Sequence, residues 1–130
     1  MIYLNIPVNP VPASRPRVTR WGCYYGKRHS ACRAELCSLL DTMRDNESLP
    51  SILCGRLTLW VLFSVKKPKT TKLDLPRGDI DNYIKLLLDA CNERLWKDDV
   101  QVEVISARKE WADDVGCSHI WIKEQLHGQA

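Results

Sequence analysis

Residues 77–102, Arg-Gly-Asp-Ile-Asp-Asn-Tyr-Ile-Lys-Leu-Leu-Leu-Asp-Ala-Cys-Asn-Glu-Arg-Leu-Trp-Lys-Asp-Asp-Val-Gln-Val, hold one complete helix and the beginning of a strand. The helix starts near Asp79, a good N-cap residue, with Ile80, Ile84, Leu87 and Cys91 as its inward stripe and Asp81, Lys85, Asp89 and Asn92 as its outward one. It is expected to stop near Asn92, which tolerates left-handed C-cap geometry. Apolar alternation then resumes at Val100.

Upstream, Lys66, Lys67, Lys69, Lys72 and Arg77 crowd a loop that Pro68 and Pro76 keep from folding into its neighbours. Before that loop, Leu57, Leu59, Val61, Phe63 and Val65 alternate with a second set that includes Trp60 and Leu62, which predicts a central strand apolar on both faces. Ala31, Cys32, Leu36, Leu39, Leu40 and Met43 place another helix over residues 29–44. The chain opens with a short strand, Ile2, Leu4 and Ile6, which Pro7 ends. Between strand and helix the sequence reads as an extended loop carrying Arg15, Arg17, Arg20 and Lys27 among Trp21, Tyr24 and Tyr25. Downstream, residues 100–109 and 115–123 read as two strands joined at Asp113 and Asp114 as a hairpin, and residues 127–130 as a frayed tail. Trp60, Trp111 and Trp121 fall in strands and are expected in the core, with Trp96 beside the acidic pair and Trp21 placed to stack on bases. The order βαβαββ predicts one α/β (α+β) domain over residues 1–130, a small mixed sheet with two helices.

A chain of 130 residues, 45% hydrophobic and 27% charged, suits one globular domain and excludes a multidomain machine. No apolar run approaches the roughly 20 residues of a membrane span, and no leader pattern opens the chain, so a cytoplasmic location without membrane contact is expected. The net charge of +3 conceals an asymmetry. Residues 1–77 hold 13 Lys and Arg against 5 Asp and Glu, and residues 78–130 hold 6 against 11. A polyanion partner for the first half and a cation for the second follow from that division. The six cysteines are scattered without a framework and are expected as free thiols. Zinc held by Cys23, His29, Cys32 and Cys37 is disfavoured by the lack of a C-x-x-C pair.

Asp79 and Asp81 have two readings. As helix caps they would complement the helix dipole. Capping leaves the second carboxylate, the pair Asp98-Asp99 and the lysine-rich approach without a common cause. A hard divalent cation accounts for all three, because Mg²⁺ takes carboxylate oxygens and retains positions for water and phosphate. Asp79 must then sit at or before the N-cap to converge with Asp81. Asp99 must either return to the helix start within its own chain, which the residues after Asn92 are long enough to allow, or arrive across a dimer interface.

The run Arg77-Gly78-Asp79-Ile80-Asp81-Asn82-Tyr83-Ile84-Lys85, followed by Asp98-Asp99-Val100-Gln101-Val102, resembles the RusA family of Holliday junction resolvases in its R-x-D-x-D-N-x-x-K and D-D-x-Q-V pattern. The resemblance implies that Asp79, Asp81 and Asp99 are the metal-binding carboxylates and Lys85 a catalytic lysine. It also implies Mg²⁺, with Mn²⁺ as a substitute, no organic cofactor, and a homodimer acting on four-way or other branched DNA by paired nicks, in recombination and repair. Phage or prophage origin, in a bacterial cytoplasm, is a further expectation of that resemblance. Asp98 and Asn82 are expected to support the ligands, and Arg15, Arg17, Arg20, Lys27, Lys66, Lys67, Lys69, Lys72 and Arg77 to contact DNA. Two rivals stand beside this reading: a nucleic-acid-binding module whose aspartates only cap, and a nonspecific metal-dependent nuclease.

Overall fold

The computed structural model describes residues 1–126; the expected fraying of residues 127–130 lies outside the described residues. The elements are β1 (Ile2–Ile6), β2 (Arg17–Thr19), β3 (Gly22–Tyr24), α1 (Lys27–Asp45), β4 (Arg56–Lys66), α2 (Ile80–Cys91), a short 3-10 turn (Asp99–Gln101), β5 (Val102–Ala112) and β6 (Cys117–Gln125). The four longer strands form a sheet in the order β1-β6-β4-β5, with β4 parallel to β5 and antiparallel to β6. This is the mixed sheet with two helices of an α+β fold. Parallel pairing of consecutive strands needs a crossover, and α2 supplies it.

β4 lies inside the sheet, between β6 and β5, and one face of it, Leu57, Leu59, Val61, Phe63 and Val65, is buried along its whole length. The strand is central, as the sequence predicted, but its other face is only partly covered: Ser64 is buried, whereas Trp60, expected in the core, is 38% exposed. The buried face meets both helices in one core cluster. α2 contributes Tyr83, Leu86, Leu87, Ala90 and Cys91 to it, so the inward stripe is rotated from the expected one and Ile80 and Ile84 are only partly buried. α1 contributes Cys32, Leu36, Cys37 and Leu40, with His29 buried near its start, while Ala31 faces solvent.

Two connections differ from expectation. β5 and β6 are not a hairpin, since β4 stands between them and Asp113 and Asp114 lie in the link that passes from one side of it to the other. A turn signal fixes a change of direction and leaves the strand's partner open. That link closes at Gly116, where a Cβ would sit 1.9 Å from Asn9 Oδ1, an oxygen that also accepts the Lys66 N–H at 2.8 Å. The second difference is the β2–β3 hairpin inside the segment expected as a loop, with Arg17↔Tyr24, Val18↔Cys23 and Thr19↔Gly22 paired and every strand residue exposed. Lys27 accordingly opens α1.

The helix end also differs in detail. Asn92 is extended, and Glu93 takes the left-handed conformation at φ 67°. Asn92 instead uses its side chain, whose Oδ1 accepts the Trp96 indole N–H at 2.9 Å. Leu95 and Trp96 are fully buried beneath the helix, so Trp96 is a core residue. No cysteine is paired; Cys23 and Cys54 are exposed, and burial pushes the Cys32 thiol up to about 11 and the Cys91 thiol up to about 12. No helix among the described residues is long and apolar enough to cross a membrane.

Candidate active site and nucleic-acid interface

β1 and β4 are both antiparallel to β6, and β5 is parallel to β4, so β1, β4 and β5 all end at one edge of the sheet. Segments 7–16 and 67–79 and the starts of both helices gather there. Open sheets flanked by helices present their ligand sites at such carboxyl ends. Short polar links hold the edge together. The Ala13 N–H donates to the Asn82 carbonyl at 2.9 Å, the Ser14 N–H donates to His29 Nδ1 at 3.0 Å, and the Gly26 N–H donates to Ser14 Oγ at 3.1 Å. On the opposite side Lys109 Nζ donates to the carbonyls of Pro76 and Gly78, and the Trp111 indole donates to the Leu73 carbonyl at 2.9 Å.

The expected DNA-contacting residues Arg15, Arg17, Arg20, Lys27, Lys66, Lys67, Lys69, Lys72 and Arg77 are all exposed on this edge and the hairpin that rises from it. None is in an ion pair with a carboxylate among the described residues. Trp21, 84% exposed at the hairpin tip, is set by its N–H donating to Thr19 Oγ1 at 3.2 Å, and the Arg20 guanidinium lies 4.8 Å from its ring centre. A groove of about 160 Å³ runs below, lined by Arg28, Lys66, Arg77, Tyr83 and Trp111 among others. Arg28 and Lys109 belong to this edge and were not singled out in the sequence. Lys109 sits in an alternating strand where a lysine reads as a solvated side chain, and only the parallel β4–β5 pairing brings it to Gly78.

Gly78 turns the chain into α2 with φ +92°, and a Cβ there would lie 2.8 Å from Pro12 Cγ, so both conformation and space demand glycine. Asp79 follows in the N-cap position with extended backbone, φ −76° and ψ 144°, yet its carboxylate makes no capping hydrogen bond. Asp81 is exposed in the first turn and Lys85 is exposed one turn further on. Asn82 is tied to the same corner through its backbone, with its N–H donating to the Asp79 carbonyl at 3.0 Å.

Asp98 and Asp99 lie at the other end of α2. Asp98 is a true cap: its Oδ1 accepts the Val100 N–H at 3.1 Å, while Gln101 Oε1 accepts the Asp98 N–H at 2.9 Å. Gln101 Nε2 donates in turn to the carbonyls of Leu53 at 3.0 Å and Gly55 at 2.9 Å, fastening the turn to the start of β4. The carboxyl of Asp99 is pushed up from the ordinary aspartate range by burial, then by the hydrogen bond and charge of Asp98 and by the charge of Asp89; a hydrogen bond from Asn92 opposes the rise. These neighbours place it beside the helix C-terminus. Asp79 is at the opposite end of a 12-residue helix, roughly 18 Å away at about 1.5 Å per residue.

The return of Asp99 to the helix start within one chain therefore does not occur. Burial of Leu95 and Trp96 pins the segment at the helix base, and the Lys97 N–H donates to the Leu53 carbonyl at 3.3 Å. Among the described residues, no three His, Cys, Asp or Glu side chains are grouped to hold a metal ion, zinc included. Asp89 is engaged by Arg33 at 2.6 Å and is a helix-face charge. One chain thus presents two free carboxylates and a lysine beside a basic edge, and a third carboxylate at the far end of the same helix. The family model described as endodeoxyribonuclease RusA matches residues 7–122, and no curated protein matches the chain.

Proposed function

The chain belongs to the RusA endodeoxyribonuclease family, and on that premise we propose that it resolves four-way junctions and related branched DNA by paired symmetric nicks, as a metal-dependent homodimer acting in recombination and repair. The observation that carries the reading is the idle N-cap carboxylate of Asp79. A capping aspartate would be bonded to the helix it starts, as Asp98 is; Asp79 is held at the cap and left free. The exposed cations around it bind the phosphate backbone without reading sequence.

A single protomer does not fit a three-carboxylate metal site, since Asp99 lies at the far end of α2 from Asp79 and Asp81. Asp79 and Asp81 offer hard oxygens suited to Mg²⁺ or Mn²⁺, and Asp99 of the partner subunit completes the set. A two-fold axis crossing α2 sets each helix start beside the other copy's helix end, which is where Asp99 belongs. The flank of the molecule next to α2 supports such an axis: β5 is an edge strand, and Ile84, Leu88, Ile105 and Ala107 along it are only partly buried. Magnesium, when bound, polarises the scissile phosphate and lowers the pKa of a coordinated water. The chain's own groups orient and neutralise: the basic edge aligns the backbone, and the Lys85 ammonium faces negative charge developing on the phosphate.

A synthetic labelled four-way junction, the matching linear duplex and a hairpin RNA, each incubated with purified protein and Mg²⁺, test the activity. Paired nicks confined to the junction are expected. Binding without cleavage would make the protein a binding module, and equal cutting of all three substrates a nonspecific nuclease. Mixing Asp79→Asn protomers with Asp99→Asn protomers tests the shared site. Mixed dimers contain one site with both carboxylates intact, so single nicks should reappear; sites confined to one chain would stay silent.

A further inference from the structure

Both helices pack on one face of the sheet, and the other face carries an aromatic row that neither the fold nor the active edge uses. The pairings Tyr3↔Trp121 and Trp60↔Trp121 set three rings side by side on β1, β6 and β4. His119, two residues before Trp121, joins them: the Tyr3 hydroxyl and His119 Nδ1 are 2.6 Å apart. A phenol oxygen and an imidazole nitrogen both lie in their ring planes, so this bond joins the rings edge to edge. Their planes differ by 17°, and those of His119 and Trp121 by 26°, with centroids 6.0 Å apart in each case. The Tyr3 and Trp121 planes are inclined by 42° with centroids 5.2 Å apart, so the three rings form a fanned row along the sheet face. Tyr3 is 49% and Trp60 38% exposed, so the row is accessible from solvent.

Cations flank the row. Arg108 opposes Leu62 on β5, Lys123 opposes Thr58 on β6, and both are exposed with no carboxylate partner among the described residues. A groove of about 180 Å³ between Trp60, Leu62, Ser106, Arg108 and Trp121 joins rings to cation. Along β4 the same face continues from Trp60 through Leu62 and Ser64 to Lys66, at the basic edge. Glu110, opposite Ser64 and 3.4 Å from its hydroxyl, is the acidic group on that route.

We propose that this face binds single-stranded nucleic acid, with bases laid on Tyr3, Trp60 and Trp121 and phosphates neutralised by Arg108 and Lys123. Every base has a π-face, so stacking accepts any sequence, and flanking cations track the backbone. Duplex DNA hides its base faces and cannot use the row. Packing of a second copy here would take Arg108 and Lys123 out of water with no carboxylate partner among the described residues, a desolvation cost that a polyanion offsets. The inference extends the substrate reading to branched DNA with an unpaired arm, but its test does not depend on cleavage, so failure of either leaves the other standing.

The experiment is the affinity for a fluorescent oligothymidylate, and separately for a duplex, without metal, across a salt series. Trp60→Ala should weaken oligothymidylate binding more than fivefold and leave duplex binding within twofold. Arg108→Gln with Lys123→Gln, which leaves the rings untouched, should reduce the log–log salt slope for the single strand by about 1.4, from about 0.7 per phosphate contact. Light-driven crosslinks from an iodouridine-substituted strand should map to Tyr3, Trp60 or Trp121. A loss below fivefold with an unchanged slope, an equal loss on duplex, or a change in subunit association caused by Trp60→Ala would overturn the proposal.

Discussion

At the start of α2, Asp79 occupies an N-cap and caps nothing; beyond its end, Asp98 occupies another and is engaged on both sides of a capping box. Each is followed closely by a second aspartate, Asp81 or Asp99. The difference lies in what surrounds them. The Asp98 turn is closed onto β4 through Gln101, whereas the Asp79 turn is carried by a glycine and held by Lys109 through backbone carbonyls alone. A carboxylate placed at a helix start and kept out of helix bonding is available to an incoming cation, and one enclosed by its own turn is not.

The sharpest way to break this comparison is to neutralise both caps. Asp79→Asn should lower junction cleavage by at least about a thousandfold, the scale of losing several kcal/mol of charge stabilisation, while junction binding holds or tightens and the melting temperature scarcely moves. A large melting shift would return Asp79 to a structural role. Next in size is Lys85→Met, expected to slow single-turnover cleavage by about a hundredfold without rescue by added Mg²⁺. If Lys85 only pairs along the helix, the rate stays near normal and the cost is about 0.3–0.5 kcal/mol of stability.

Asp98→Ala is the converse case. Loss of its cap should cost about 1 kcal/mol in denaturant unfolding, with cleavage reduced far less than by Asp79→Asn. A collapse of activity at unchanged stability would make Asp98 a ligand.

The smallest effect concerns the anchor of the active edge. His29 is buried against the Tyr25 ring at 4.1 Å and accepts the Ser14 N–H, and burial lowers its pKa below 6.5, the charge of Asp89 opposing and those of Arg33 and Lys85 assisting. A depressed base binds its proton less readily folded than unfolded. Its contribution is therefore complete above the unfolded value near 6.5 and is lost as pH falls through the folded one. Wild-type melting temperature should decline relative to His29→Gln as pH drops below 6.5, and parallel profiles would remove His29 as the cause.

Much of this was legible before the structure. Strict alternation placed β1 and β4, and caps placed α2 to within a residue at each end. The two basic segments stood out in the sequence by crowding, Arg15 to Lys27 among aromatic residues and Lys66 to Arg77 in a loop with Pro68 and Pro76. What escaped either left no apolar period or was non-local. The β2–β3 hairpin buries no side chain, so it leaves no apolar period. The separation of β5 from β6 depends on a partner far upstream in the chain. Asp99 was allowed a path back along α2 on chain length alone, and the burial of Leu95 and Trp96, which anchors that segment at the helix base, depends on packing that length does not report.

The order β1-β6-β4-β5 has a consequence for how the chain acquires its shape. β1 pairs only with β6, through contacts such as Ile2↔Ile122, so the first strand waits for the last before it has a hydrogen-bonded neighbour. During synthesis, α1, β4, α2 and β5 can assemble as a parallel crossover while β1 and one edge of β4 stay open to solvent. Folding should be slow for a chain of this size, since closure between distant segments precedes its reward. That waiting interval is when the molecule is most exposed to strand-to-strand aggregation. Removal of β6 alone would strand β1 and uncover β4 together, leaving only the β4–β5 pair of the sheet.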